Sequence, residues 1–201
     1  MIKCSIKKRE DCEECGWAGG ATREFFIYPE SSACGARDFE VRVSSATVEV
    51  DKSVFSDFTG FVRHIAPLSG ELRLVHGGRP EVVLREGGAD TFDGGAETVS
   101  YGRCVDFNLI HSPSWDGALK TTAGDAGEVK LRNGFAGCYV SSGLAEVGVS
   151  GEGVKFSASL NEGDFFLLEA ASAGAGEFSL IVRPFGASAL AAIFSANLRD
   201  R

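Results

Sequence analysis

Apolar residues alternate with polar ones in run after run between Phe39 and Ile110, and that period of two commits this part of the chain to strands. Phe39, Val41 and Val43 share one parity, and Ala46, Val48 and Val50 share the other, with the change falling at Ser44 and Ser45. A change of parity predicts a bulge, a bend or a strand that passes from one sheet to another, the corners from which sandwiches and barrels are made. Leu72, Leu74 and then Val82, Leu84 flank the turn signal His76-Gly77-Gly78-Arg79-Pro80 and predict a hairpin. Val105, Phe107 and Leu109 predict a further strand whose reverse face carries Asp106 and Asn108. Phe55, Phe58 and Phe61 recur every three residues, which predicts a short helical turn or a compact loop pinned by aromatics.

The 26 glycines beside 5 prolines and 1 methionine point to tight turns between short strands, so an all-β fold is expected. A weak internal repeat divides it. LSGELRLVHGGRPEVVLREGG from Leu68 and SSGLAEVGVSGEGVKFSASLNEGD from Ser141 both read as Ser-Gly, strand, glycine turn, strand, glycine-rich exit. Two β modules follow, residues 1–125 and 126–201, joined through the polar, glycine-rich stretch from Ser114 to Gly127 and treated as one compact unit. Leu190, Ile193, Phe194 and Leu198 are spaced for one helical face, and predict a short C-terminal helix closing the sheet.

A net charge of -8 argues against a nucleic-acid partner, because such binding rests on neutralising phosphates with Lys and Arg. No apolar run approaches the roughly 18 residues of a membrane span, and MIKCSIKKRED lacks the apolar core of a signal peptide, so a soluble, cytoplasmic protein without a membrane partner is expected. The six cysteines then read as reduced thiols, with Cys4, Cys12, Cys15 and Cys34 as the alternative of a zinc set built on one C-x-x-C. No G-x-S-x-G elbow, P-loop or Rossmann glycine spacing is present.

The segments WAGGATRE (Trp17 to Glu24), Tyr28-Pro29, DFEVRVSSATV (Asp38 to Val48), FSDFTGFVR (Phe55 to Arg63), FDGG (Phe92 to Gly95) and DFNLI (Asp106 to Ile110) occur in that order over about the first half of the chain. In order and spacing they resemble the HutD/Ves family, bacterial cupin-like proteins associated with histidine utilisation. The resemblance implies a bicupin, two small jelly-roll or barrel modules in one chain. It departs from the family where many relatives carry Trp-Lys-Asn-Gly-Gly-Gly before Thr-Arg-Glu, since the Asn is absent here.

A metal-dependent cupin would need a His-x-His pair, a carboxylate and a third His, whereas His64, His76 and His111 are isolated, and His76 reads as a solvated turn residue. Neither metal nor cofactor is expected. Arg42 and Ser44 share one strand face and Asp106 and Asn108 another, and Arg63 adds a second cation. Such a set suits a small acidic metabolite, Arg supplying a bidentate fork and Ser and Asn neutral partners. The bland alternative is a buried Arg42–Asp106 pair that holds sheet register. Thr22 and Arg23 join the candidate ligand-binding set through the resemblance, against an exposed edge-strand role, and Trp17 is expected to pack over a core edge. The reading is a binding protein, rather than an enzyme, that regulates or sequesters an intermediate of histidine or amino-acid breakdown. The alternatives are a metal-independent isomerase or hydrolase with Asp106 as general base, and a structural, partner-binding protein related to stress. Edge strands leave a homodimer open.

Overall fold

A computed structural model describes residues 2–170 and 176–199. In chain order the strands are β1 (Ile2–Lys7), β2 (Glu14–Trp17), β3 (Gly20–Tyr28), β4 (Val41–Val48), β5 (Lys52–Val54), β6 (Val62–Gly70), β7 (Leu72–His76), β8 (Val82–Leu84) and β9 (Asp90–Asp93). They continue with β10 (Thr98–Tyr101), β11 (Cys104–His111), β12 (Trp115–Thr122), β13 (Gly127–Leu131), β14 (Gly134–Gly151), β15 (Val154–Asn161), β16 (Phe165–Ala170) and β17 (Phe178–Leu198). Two single-turn 3-10 segments, Arg9–Asp11 and Cys34–Ala36, are the helical elements among the described residues. The all-β expectation holds. None of these helices is long and apolar enough to cross a membrane.

The chain divides into two compact units, Cys12–Trp115 and Met1–Asp11 with Asp116–Arg201. In the first, a six-stranded antiparallel sheet runs β2-β3-β4-β11-β6-β9, and a four-stranded sheet runs β5-β10-β7-β8. Val48, Ile65, Phe92 and Cys104 of the larger sheet pack on Leu72, Leu74 and Leu84 of the smaller. The parity change at Ser44 has its bulge on the neighbouring strand. β4 stays in unbroken register with β11, while β3 shifts between Glu24 and Phe26 opposite Ser44 and Val43. Val41 to Ser45 are all buried, so β4 is covered on both faces and the apolar set changes sides without leaving the sheet. The predicted hairpin forms from β7 and β8, with Leu72 opposite Leu84 and Leu74 opposite Val82. Phe55 to Phe61 make a compact loop, with Phe58 and Phe61 edge to face at 6.1 Å and the Phe61 amide donating to the Phe58 carbonyl.

The other unit is a seven-stranded sheet built on the long β14–β17 pairing, its path running β1-β16-β14-β17-β12 with β15 added to β14 and β13 to β17. β1 pairs with β16 from Ile2 opposite Ala170 to Lys7 opposite Phe165, which ties the first strand of the chain to its C-terminal half. The second copy of the sequence repeat is also a hairpin, β14–β15, turning on Glu152 and Gly153 at φ 49° and 77°. Both values are positive, as a two-residue type I′ turn requires.

The expected C-terminal helix is absent: Leu190, Ile193, Phe194 and Leu198 lie on β17, which pairs with β14 in register Ile193 opposite Cys138 and Phe194 opposite Gly137. Ala189 through Phe194 are buried without interruption, so the strand is apolar on both faces and its spacing carries no helical information. Gly137 makes room for this packing. A Cβ there would lie 2.3 Å from the Phe166 carbonyl oxygen and 2.7 Å from Cε1 of Phe194.

Candidate functional site

Antiparallel partners project from the same face of a sheet, so the register of the six-stranded sheet places its polar residues. Ser44 lies opposite Asn108 and Glu24, Ala46 opposite Asp106 and Thr22, and Arg42 and Arg63 both opposite Ile110. Arg42, Ser44, Arg63, Asp106, Asn108 and Thr22 therefore share one face. It is the face that carries Val48, Ile65 and Phe92 toward the smaller sheet. The two pairs that sequence parity assigned separately, Arg42 with Ser44 and Asp106 with Asn108, meet here. Arg23 belongs to the opposite parity of β3 and bonds Glu14 at 2.7 Å.

Arg42 Nε donates to Glu24 Oε2 at 2.6 Å and its Nη1 to Ser44 Oγ at 3.0 Å. Glu24, one residue beyond Arg23, is the partner that the sequence reading missed; its parity with Thr22 on one strand was the available signal. The alternative, an Arg42–Asp106 pair, does not form: Arg42 bonds Glu24 and Ser44. Asp106 instead accepts from Asn108 Nδ2 at 2.5 Å, and Asn108 Oδ1 accepts from Arg63 Nη2 at 3.3 Å, so Asn108 stands between the acid and the guanidinium.

Arg63 is enclosed by aromatics, its guanidinium carbon 4.5 Å from the Phe55 ring centre and 5.3 Å from those of Phe58 and Phe92. Two of these rings, Phe55 and Phe58, come from the 55–61 loop, whose third phenylalanine, Phe61, packs on Phe39. Cation–π attraction compensates part of the lost hydration. The hydrogen bonding does not complete it: Nη1 reaches the Ser56 carbonyl only at 3.5 Å, and Nε is buried with no partner. With a residue exposure of 7%, a group bearing five N–H donors holds two long bonds.

Electrostatics follow from this enclosure. Burial pushes the Asp106 carboxyl up from 3.8 to about 7, against the opposing pull of Arg63, Asn108 and the Ala46 backbone. The same burial draws Arg63 down to about 10, with Asp106 opposing and the Arg42 and Arg37 charges adding to the fall. Arg63 stays charged at neutral pH. Cys104, 4.0 Å from Asp106, is pushed up to about 12 by burial and then by Asp106.

The histidines do not join the set. His64 and His111 lie on the opposite face of the sheet and contact each other Nε2 to Nε2 at 3.0 Å. His76 is not a solvated turn residue: it is 2% exposed, bonded through Nε2 to Asp90 at 2.9 Å and through Nδ1 to Thr98 at 2.8 Å. It ends β7 rather than opening the turn, so its side chain is committed to the interior. Among the described residues no three His, Cys, Asp or Glu side chains gather to hold a metal ion, and Cys4, Cys12, Cys15 and Cys34 are not joined in disulfides. The shared face offers a divalent cation the Glu24 and Asp106 carboxylates beside two guanidiniums and no imidazole, a donor set that does not fit a cupin-type metal centre. Trp17 is 41% exposed and covers Gly19, where a Cβ would lie 2.2 Å from its ring.

The profile of the family described as HutD matches residues 9–182, well past the half in which sequence motifs are legible. No curated protein matches the chain. Among solved structures, a conserved protein of unknown function from Pseudomonas aeruginosa is similar at TM-score 0.79 and 21% identity, covering 97% of this chain and 99% of that one. HutD from Pseudomonas fluorescens is similar at TM-score 0.70 and 22% identity, over 96% of this chain and 99% of its own. Oxalate decarboxylase from Bacillus subtilis is similar at TM-score 0.62 and 11% identity, over 98% of this chain and 78% of its own. The fold is therefore cupin-like.

Proposed function

The chain belongs to the HutD family, and on that footing we propose that its Cys12–Trp115 unit binds a small carboxylate metabolite. The observation that carries the proposal is Arg63, a buried guanidinium with an unpartnered Nε and no carboxylate bonded to it. A buried, incompletely bonded cation is costly, and an anion that accepts from Nε would remove that cost. Arg42 is a second cation on the same face, Ser44 and Asn108 supply neutral partners, and Thr22 lies in the adjoining row. Arg37 and Arg42 both act on Arg63 electrostatically, and the carboxylates around the three are Asp57 at Arg37, Glu24 at Arg42 and Asp106, of which Asp106 is partly protonated near neutral pH.

In this reading the protein is a bicupin of the cytoplasm that regulates or sequesters an intermediate of amino-acid breakdown. The link to histidine comes from the family name. The relative from Pseudomonas fluorescens was determined in a formate condition, which makes formate the first carboxylate to try. The test is a thermal-shift series with formate, glutamate, formylglutamate and urocanate, each against its amide or ester, with divalent metals in a separate arm. A dose-dependent rise with one acid and not its neutral analogue supports the reading, because a ligand specific to the native state raises its apparent stability. A rise with metal alone, or none at all, refutes it.

Asp106 supports a second reading, that of a metal-independent isomerase or hydrolase. A carboxyl held at about 7 is matched to proton transfer at neutral pH, and it neighbours, on the same strand face, the Asn108 that contacts Arg63. An acid held by Arg63 would present its neighbouring carbon to Asp106. Deuterium incorporation into such an acid in D2O, lost in Asp106→Asn, is the expected result; no exchange above the uncatalysed rate contradicts it.

A further inference from the structure

A sheet edge that is long and unguarded offers a row of free N–H and C=O groups to another chain. Most edges of this fold are blunted. β5 and β8 have three residues each, and β2 and β9 have four. β13 carries the Glu128–Lys130 ion pair, β1 carries Lys3 and Lys7, and β12 carries Asp116, Gly117 and Lys120. β15 differs. Its eight residues, VKFSASLN, contain one charge, no glycine and no proline, and they pair with β14 in unbroken register. Among the described residues β15 has no sheet partner on its other side.

The hairpin fixes which backbone groups of β15 are free. In a two-residue type I′ hairpin the residues flanking the turn, here Gly151 and Val154, exchange hydrogen bonds. Val154, Phe156, Ala158 and Leu160 therefore bond β14, and Lys155, Ser157, Ser159 and Asn161 turn their N–H and C=O outward. Asn161 agrees with this phase, because its N–H leaves the ladder and donates to Asp164 Oδ2 at 2.9 Å. The side chains alternate in step. Lys155, Ser157, Ser159 and Asn161 are exposed, whereas Val154, Phe156 and Ala158 lie half-buried on the core face, packed against the cluster that holds Val147, Val149 and Phe166.

We propose that β15 is the interface of a homodimer, in which the strand pairs antiparallel with β15 of a second copy across a two-fold axis at Ser157. Partners of like parity keep both the free backbone groups and the apolar faces together, and two central registers satisfy this. With Ala158 on the axis, Lys155 would pair with Asn161, whose N–H is already committed to Asp164. With Ser157 on the axis, Lys155 exchanges hydrogen bonds with Ser159 of the second copy, and Ser157 with its own counterpart. Val154 then meets Leu160, and the half-buried Phe156 meets the small Ala158, which covers the open rim of the core cluster. Charge agrees with this register. Glu146 on β14 lies between Arg183 and Ser159, so Lys155 of the second copy, placed opposite Ser159, extends the row on the side of Glu146. A contact of this length falls below about 1,200 Å², the range of weak and reversible association.

Sedimentation velocity of the full chain from about 2 to about 200 μM is expected to show a monomer–dimer equilibrium, and a monomer throughout overturns the proposal. Ser157→Pro is expected to abolish the dimer and leave the melting temperature little changed, because the N–H it removes points away from β14, where an edge strand tolerates proline. Should that variant fail to fold, Ser157→Lys, which sets two ammonium groups opposite each other on the exposed face, gives the same reading. A dimer that survives the folded variant is formed by another surface, and overturns the proposal. The register is read by charge. Lys155→Glu is expected to weaken association about tenfold, since symmetry repeats its repulsion by Glu146, and Lys155→Glu combined with Glu146→Lys to restore it. Weakening without rescue overturns the axis at Ser157.

Discussion

Replacing Asp106 by Asn is expected to make the protein more stable above neutral pH and to leave it little changed in acid. Asp106 is 3% exposed, and its carboxyl titrates near 7 in the native state against 3.8 when free. Between those values the folded chain keeps a proton that the unfolded chain releases, so stability is fully present below about 4 and falls as pH rises through about 7. At about 1.4 kcal/mol for each pH unit, the full difference is about 4 kcal/mol. Asn cannot ionise and keeps an oxygen that accepts from Asn108 Nδ2, so it reproduces the protonated carboxyl. The stability difference between Asp106→Asn and the unsubstituted protein should therefore grow from near zero at pH 4 to about 4 kcal/mol at pH 8, or about 10 °C in Tm. Thermal melts in matched buffers across that range measure it. Parallel curves, with a constant difference at every pH, would mean that Asp106 stays ionised in the folded state and that Arg63 outweighs burial.

Arg63→Met should abolish carboxylate binding while costing less than about 1 kcal/mol, because a thioether fills the Phe55, Phe58 and Phe92 enclosure without a buried charge; denaturant titration and a binding assay separate the two effects. Arg42→Ala should weaken carboxylate binding by about tenfold without unfolding the chain, since its Glu24 partner reaches solvent, whereas an equal loss of stability would mark a structural pair. His76→Ala leaves Asp90 and Thr98 without their partner and opens space beside Phe92, and should cost about 3 kcal/mol in a urea titration. Gly137→Ala, whose methyl would meet the Phe166 carbonyl, should cost about 3 kcal/mol and lower expression of folded protein.

Strand parity carried most of what was legible in advance. It placed Arg42 with Ser44 and Asp106 with Asn108, because a period of two is a local property that survives into any sheet. It did not reveal that β4 and β11 are neighbours, which depends on pairing across 61 positions, as between Ser45 and Asp106. For the same reason Glu24 was passed over and Arg23 named: the choice between adjacent residues turns on which face of β3 is inward. The aromatic enclosure of Arg63 was visible as a spacing of phenylalanines and illegible as a site, since its third ring, Phe92, arrives from β9. His76 misled because a glycine turn follows it directly, and the residue before a turn can belong to the strand. The C-terminal strand misled for the opposite reason. Where both faces are buried, the apolar run has no period, and any spacing can be found in it.

The central claim is that Arg63 holds a carboxylate, and isothermal titration of formate and glutamate, each with its amide, into the protein and into Arg63→Met tests it most directly. The account predicts saturable binding of an acid, none of its amide, and loss of the signal in Arg63→Met with the melting temperature retained. Binding that persists undiminished in Arg63→Met, or that does not distinguish acid from amide, would contradict it.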